Sequence, residues 1–253
     1  MASSRYVRQI SLPEVGCAGQ VKLGKACVLC VGVGVLGNAV VQSLVSAGVG
    51  KILLCDSDEV SLSNLARQPL YTLQDVGQRK VNVLDRACRK LNAEVTVIPI
   101  SEDISTINVK ALLCEADAVV DCTDNAEAKY LLNRHCVADN KPLITASLSQ
   151  WAGYCMMVHG QGCYRCVFPE ENAELPTCSE AGVISTLPAL VGQVQASLVL
   201  LCLLGLADEW RGKLWSGDLK RQRFGVFDFE ADPECSICAN GTEKGGGLGA
   251  DQS

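Results

Sequence analysis

Short apolar runs alternate along this chain with segments whose apolar positions recur every three or four residues. Strands buried on both faces, with helices laid over them, give this pattern. Positions 28–31, Val-Leu-Cys-Val, have the length and branching of a buried strand. Gly32, Gly34 and Gly37 follow, then a helical pattern through Ala47, and a second strand-like run at 51–55 that ends on Asp56. Positions 78–91 read as an amphipathic helix with Val81, Leu84, Ala87 and Leu91 on one face. Further strands are predicted at 96–99, 118–122, 142–146 and 153–158, with helices at 107–115 and 126–139. The pattern then turns irregular until an apolar helix at 188–206, beyond which 213–215 and 221–229 read as late antiparallel strands. The alternation predicts an α/β fold: a Rossmann-like, mainly parallel central sheet flanked by helices, with C-terminal antiparallel strands. One domain is expected over residues 1–240, and the glycine-rich polar stretch 241–253 is expected to be a disordered tail.

The 188–206 helix raises the question of a membrane. Gln193 and Gln195 interrupt it, and the uninterrupted run 196–206 is shorter than the roughly 20 residues a span needs, so a buried helix is predicted. The net charge of -6 argues against an extended nucleic-acid surface. With only two histidines, His135 and His159, a histidine-based catalytic system has little room. No basic-then-apolar leader opens the chain, and the cysteine count is 15, so a reducing, cytoplasmic setting is expected, in which cysteines serve metal or thiol chemistry rather than disulfides.

The glycines have GxGxxG spacing between a strand and a helix, and Asp56 stands about 20 positions past the last of them. Such a unit binds nucleotides: the turn lets the backbone approach phosphates, the helix N-terminus offers N–H groups, and the carboxylate accepts from ribose hydroxyls. The next segment, with Ser63, Asn64, Arg67 and Gln68, lies just beyond the ribose position, and Lys80 follows it. Two cations there suit a triphosphate better than a dinucleotide. Asp124 and Asn125, after the fourth strand, are expected to face the same crevice, Asp124 as a Mg²⁺ ligand or else as a helix N-cap. Cys163/Cys166 and Cys235/Cys238 form two CxxC pairs that can close a tetrahedral Cys₄ shell around a structural zinc ion; unrelated core thiols or a redox pair are the alternatives. Cys178 sits in a polar loop flanked by Pro176 and Gly182, where its thiol is expected to be reachable.

Several segments together resemble the ThiF/MoeB/HesA family, bacterial relatives of ubiquitin-activating enzymes. They are RYVRQI at 5–10, AGVG at 47–50, LSNLARQ at 62–68, DCTDN at 121–125, CYRC at 163–166, TCSEAGV at 177–183 and the closing CSIC at 235–238. The resemblance implies ATP-dependent adenylation of the C-terminal glycine of a ubiquitin-like sulfur carrier protein with a Gly-Gly end. It further implies that Asp56 holds the ribose, that Asn64, Arg67 and Lys80 bind phosphates, that Asp124 carries Mg²⁺, and that Arg8 reaches the neighbouring crevice of a homodimer. Cys178 would take part in covalent linkage or sulfur transfer, with sulfur supplied by a separate protein such as a cysteine desulfurase. Two positions depart from the family's pattern: Val35 replaces a glycine of the turn, and Ala66 replaces a glutamine. ITAS at 144–147 and GCYRCVFP at 162–169 lean toward the thiazole-forming branch of thiamine biosynthesis, with molybdopterin biosynthesis second. From other classes, an NAD-dependent oxidoreductase and a non-catalytic carrier-binding module stay open.

Overall fold

The computed structural model describes residues 4–169 and 182–239. A 3-10 turn (Ser4–Tyr6) leads into α1 (Val7–Ile10) and α2 (Gly16–Leu23). The first βαβ unit is β1 (Cys27–Val31), α3 (Val35–Ala47) and β2 (Lys51–Cys55). Next come α4 (Lys80–Leu91), β3 (Thr96–Ile100), α5 (Val109–Glu115), β4 (Ala118–Asp121) and α6 (Ala126–Ala138). The hairpin β5 (Leu143–Ser149) and β6 (Ala152–Val158) leads to the short α7 (Tyr164–Val167). The long α8 (Leu187–Leu204) and a second hairpin, β7 (Lys213–Asp218) and β8 (Arg223–Asp228), complete the described strands and α-helices.

One eight-stranded sheet has the order β3-β2-β1-β4-β5-β6-β7-β8. From β3 to β5 neighbours run parallel, and from β5 to β8 they run antiparallel. All five residues of β1 are buried because helices cover both faces. Val28 and Cys30 join one apolar cluster with residues of α3, α4 and α8, and Leu29 and Val31 join another with residues of α5 and α6. A strand so enclosed has no polar face to show, and for this reason it reads as an unbroken apolar run.

By length and composition α8 could cross a membrane, at a mean hydropathy of 2.0. It packs instead on α3, β5 and β6. Buried Gln195 donates to the carbonyls of Asp121 (2.6 Å) and Ile144 (3.1 Å), which ties the helix to the sheet. The structure extends β5 three residues beyond its predicted end at 146. The alternation Ser147-Leu148-Ser149 reads as polar, yet Leu148 is buried and the segment pairs with β6.

The sheet order reverses at β1: the chain leaves toward β2 and β3, then returns to β4 on the other side. In open α/β sheets this switch point opens a crevice at the carboxyl ends of the strands.

Candidate nucleotide crevice and cysteine cluster

The crevice measures about 350 Å³ and is lined at its base by Val31, Gly32 and Gly34 from the glycine turn and by Cys122 and Thr123 beyond β4. Gly32 has φ +83°, and a Cβ there would lie 2.8 Å from the Cys122 carbonyl group, so only glycine lets β1 and β4 close up. A Cβ on Gly37 would lie 2.3 Å from the Gly32 oxygen, so this glycine sets how closely α3 approaches the turn and is not part of the crevice wall. Gly34 caps α3 with no side chain of its own, which leaves first-turn N–H groups for a ligand. Val35, the first residue of α3, also lines the crevice, whereas Ala66 is exposed outside it.

Asp56 sits past the end of β2 with its carboxylate against the turn. One oxygen accepts from the Val33 N–H and the other from the Asp58 N–H, each at 2.8 Å, and lone pairs remain for hydroxyl donors. Burial pushes its pKa above the ordinary carboxylate value, against the opposing pull of Lys80. Lys80 is buried at the start of α4, and its Nζ lies 2.6 Å from Asp58.

Arg67 and Gln68 also line the crevice, Gln68 close beside Gly34. Arg67 donates to the Ser63 carbonyl at 3.0 Å, yet its Nε is buried with no partner, as is Oε1 of Gln68. An orphaned buried polar atom costs about 1–3 kcal/mol, and both of these belong to residues that line the crevice. Asn64 also lines the wall, with Oδ1 accepting from Ser61 N–H at 2.9 Å. Ser63 does not: it is exposed, and its hydroxyl pairs with Ser61.

Asp124 and Asn125 line the crevice beyond β4. The N-cap of α6 is Asn125, whose Oδ1 accepts from Ala128 N–H at 2.8 Å, which overturns the alternative that Asp124 caps this helix. The lining carries Asp56, Asp58, Glu102, Asp103 and Asp124 against two cations, Arg67 and Lys80. A bare polyphosphate meets an excess of negative charge there, and a divalent cation between Asp124 and the phosphates would offset it.

Residues not singled out in the sequence hold these walls. Asn38 donates to the carbonyls of Val33 (3.0 Å) and Gly34 (3.1 Å) and accepts from Leu70 N–H (3.1 Å), and the Tyr71 hydroxyl donates to Val33 O (2.7 Å). The loop bearing Arg67 is thereby fastened to the glycine turn. Beneath Thr123, Lys129 meets Asp121 at 2.8 Å, fully inside the protein. Burial is the largest single influence on the Lys129 pKa and works to lower it, but Asp121 with Tyr164 and Cys122 together outweigh it and the net shift is upward. Asp121 also accepts from the hydroxyls of Thr123 and Thr145, each at 2.6 Å, which sets the path of the chain into Asp124.

Arg8 lies elsewhere. It is exposed on α1, which is held at the far end of α3 by Gln9 donating to the Ala47 carbonyl at 3.0 Å. Cys178 lies outside the described residues, as does the 241–253 tail.

The four sulfurs of Cys163, Cys166, Cys235 and Cys238 lie within 4.8 Å of one another. Neighbouring Sγ–Sγ distances are 3.8, 3.6 and 3.4 Å. With Zn–S bonds of about 2.3 Å, a tetrahedral shell separates its sulfurs by about 3.8 Å, so the donor set fits such an ion with little adjustment. Asn133 Nδ2 donates to Cys163 Sγ at 3.5 Å, and Asp232 N–H to Cys166 Sγ at 3.4 Å, the kind of support that steadies metal-bound thiolates. Burial holds Cys163 up at about 11; at Cys235 the N–H groups of Cys238 and Ile237 overcome burial and bring the thiol down to about 7.

A profile described as the ThiF family matches residues 6–237. The Thermus thermophilus sulfur carrier protein adenylyltransferase is 38% identical, with 93% of this chain and 90% of the relative covered. The SAMP-activating enzyme E1 of Haloferax volcanii is 35% identical, over 94% of this chain and 89% of the relative. Adenylyltransferase and sulfurtransferase MOCS3 of Xenopus laevis is 36% identical over 94% of this chain, which spans 54% of that relative's length. Among solved structures, Escherichia coli MccB with ATP superposes at a TM-score of 0.77 with 25% identity, over 87% of this chain and 68% of the other.

Proposed function

The chain belongs to the ThiF family, and we propose that it adenylates the C-terminal glycine carboxylate of a ubiquitin-like sulfur carrier protein at the crevice between β1 and β4. The observation that carries this reading is the single lining that brings Gly34, Asp56, Arg67, Gln68 and Lys80 together at the switch point of the sheet, with Arg67 Nε and Gln68 Oε1 left without partners. The Thermus relative bears the name of this activity.

In the proposed reaction a carboxylate oxygen of the carrier attacks the α-phosphorus of ATP, the bond to the β-phosphate oxygen breaks, and pyrophosphate leaves. The attacking carboxylate is already ionised at neutral pH, so no general base is needed, and neither His135 nor His159 lines the crevice. Positioning and charge neutralisation do the work. Asp56 accepts from the ribose, the first turn of α3 faces the phosphates, and Asn64, Arg67 and Lys80 hold them. Asp124 would hold Mg²⁺, which would screen the phosphates from the surrounding carboxylates. Arg8 belongs to the crevice of a second copy in a homodimer. The outer sulfur of a protein persulfide then attacks the acyl-adenylate and displaces AMP, and a second thiol breaks the S–S bond of the resulting acyl disulfide, forming a disulfide and releasing the thiocarboxylate. Sulfur comes from a cysteine desulfurase, and Cys178 serves in that second stage. The Cys₄ cluster binds zinc with no open position for substrate, so its role is structural. The motifs at 144–147 and 162–169 favour the thiazole carrier of thiamine biosynthesis over the molybdopterin carrier, in a cytoplasmic setting that suits the free thiols.

The test is ATP–pyrophosphate exchange with Mg²⁺ and each carrier in turn. Exchange with the thiazole carrier alone supports the full reading. Exchange with the molybdopterin carrier alone moves the protein to that pathway, and exchange with neither removes the proposed reaction.

A further inference from the structure

A second cavity, of about 470 Å³, is larger than the crevice and shares no lining residue with it. It lies at the other end of the sheet. Ala26, Asp117 and Pro142 line it just ahead of β1, β4 and β5, and Met157 and His159 line it where antiparallel β6 ends. Its mouth carries Lys22 and Lys25, from the end of α2 and the turn after it, and Arg211 from the turn before β7. Among the described residues, Lys22, Lys25 and His159 have no hydrogen-bond or ion-pair partner for their side chains. The two carboxylates present are already engaged: Asp117 accepts from Cys27 N–H at 2.8 Å, and Asp208 pairs with Arg211 at 3.0 Å.

The formal balance, three cations against Asp117 and Asp208, is positive at this mouth, on a chain whose net charge is -6. Partial burial and the nearby Arg211 lower the His159 pKa, so at neutral pH its ring is uncharged and can both donate and accept. The floor is apolar, built from Met157, Cys202 and Leu203. An apolar floor under convergent polar groups is the usual make-up of a small-molecule site.

We infer that this cavity binds a small organic anion, with its phosphate or carboxylate held by Lys22 and Lys25 and its compact apolar body seated on Met157, Cys202 and Leu203. Arg211 and His159 orient the anionic end. The site does not depend on the adenylation reading, since it is built from other residues at the other end of the strands.

Calorimetric titration of the full chain with phenyl phosphate and with benzoate tests it. The expected result is saturable binding of at least one probe, weakening as ionic strength rises. Binding should drop at least about tenfold in K22A/K25A, persist in K22R/K25R and be unaffected in Arg67→Ala. Both lysines are exposed, so the double variant should fold, which an unchanged melting curve checks. Pyrophosphate exchange should also be unchanged in it. Undiminished binding in K22A/K25A, loss in Arg67→Ala alone, or no binding of either probe by the wild type would each overturn the inference.

Discussion

At the scale of single residues, Arg67 and Asp56 show how this crevice is poised for a ligand. Arg67 holds one bond to Ser63 while its Nε is buried without a partner, an arrangement that costs the free protein stability. Arg67→Ala should therefore leave the melting temperature unchanged or slightly higher, while pyrophosphate exchange falls about 100-fold or more, as expected when a charge-positioning donor is removed. Full exchange with a lowered melting temperature would make Arg67 a structural residue. Asp56 makes a prediction with a sign. Its folded pKa is raised by burial, so between the ordinary carboxylate pKa and the raised one the folded state binds more protons than the unfolded state. Its contribution to stability accordingly declines as pH rises through that window. In Asp56→Asn this decline is absent, so the melting temperature of the variant relative to wild type should climb across that pH range. Nucleotide-induced stabilisation should weaken in the same variant. Parallel melting curves for the two proteins would contradict the shift. That Arg67, Lys80 and Asp56 line one crevice was legible in the sequence, because they follow the glycine turn at the spacing of a nucleotide-binding unit. Asn38 and Tyr71 were not, since each acts on backbone atoms of Val33 and neither differs locally from an ordinary helix or loop residue.

At the scale of elements, two short pieces depend on the cysteine cluster. The four-residue α7 is too short to persist by itself, and the turn after β8 has no regular element of its own, its apolar packing resting on Phe229, Ile237 and the cysteines. A Cys₄ metal ion would tie the two together. Cys235→Ser should lower bound zinc and reduce the melting temperature by roughly 4–8 °C, the counterpart of about 2 kcal/mol in a chain of this size. Exchange at temperatures well below the transition should change much less. Normal melting with zinc lost would free these segments from the metal. The strand–helix alternation was readable across the whole sheet, because strands enclosed on both faces leave an apolar signature that no solvent face dilutes. β5 was read short where its alternation becomes polar, and the pairing with β6 that extends it is non-local. The Lys129–Asp121 pair escaped notice for a related reason. A lysine on α6 reads as a solvated charge until β4 and β5 are brought over it.

At the scale of the whole molecule, α3 separates Arg8 from the crevice of its own chain. The helix begins at the glycine turn and runs 13 residues, roughly 20 Å, to the Ala47 carbonyl that anchors α1 through Gln9. Arg5 strengthens this anchorage by donating to the Leu91 carbonyl at the far end of α4. With its helix fixed there, Arg8 is exposed and lies beyond reach of Lys80 and Arg67 in the same chain, so any part it takes in the reaction requires a second copy. Complementation can decide the matter. Arg8→Ala should be inactive in exchange because no copy supplies the arginine, and Lys80→Ala because no crevice keeps its phosphate lysine. In a mixture of the two whose subunits have exchanged at random, half the dimers are mixed. Each of these pairs one crevice retaining Lys80 with an Arg8 from the other copy, so activity should recover to about a quarter of wild type. Activity retained by Arg8→Ala alone would remove the residue from the reaction. Inactivity of both variants with no recovery on mixing, once subunit exchange is demonstrated, would confine Arg8 to folding and leave each crevice complete within one copy.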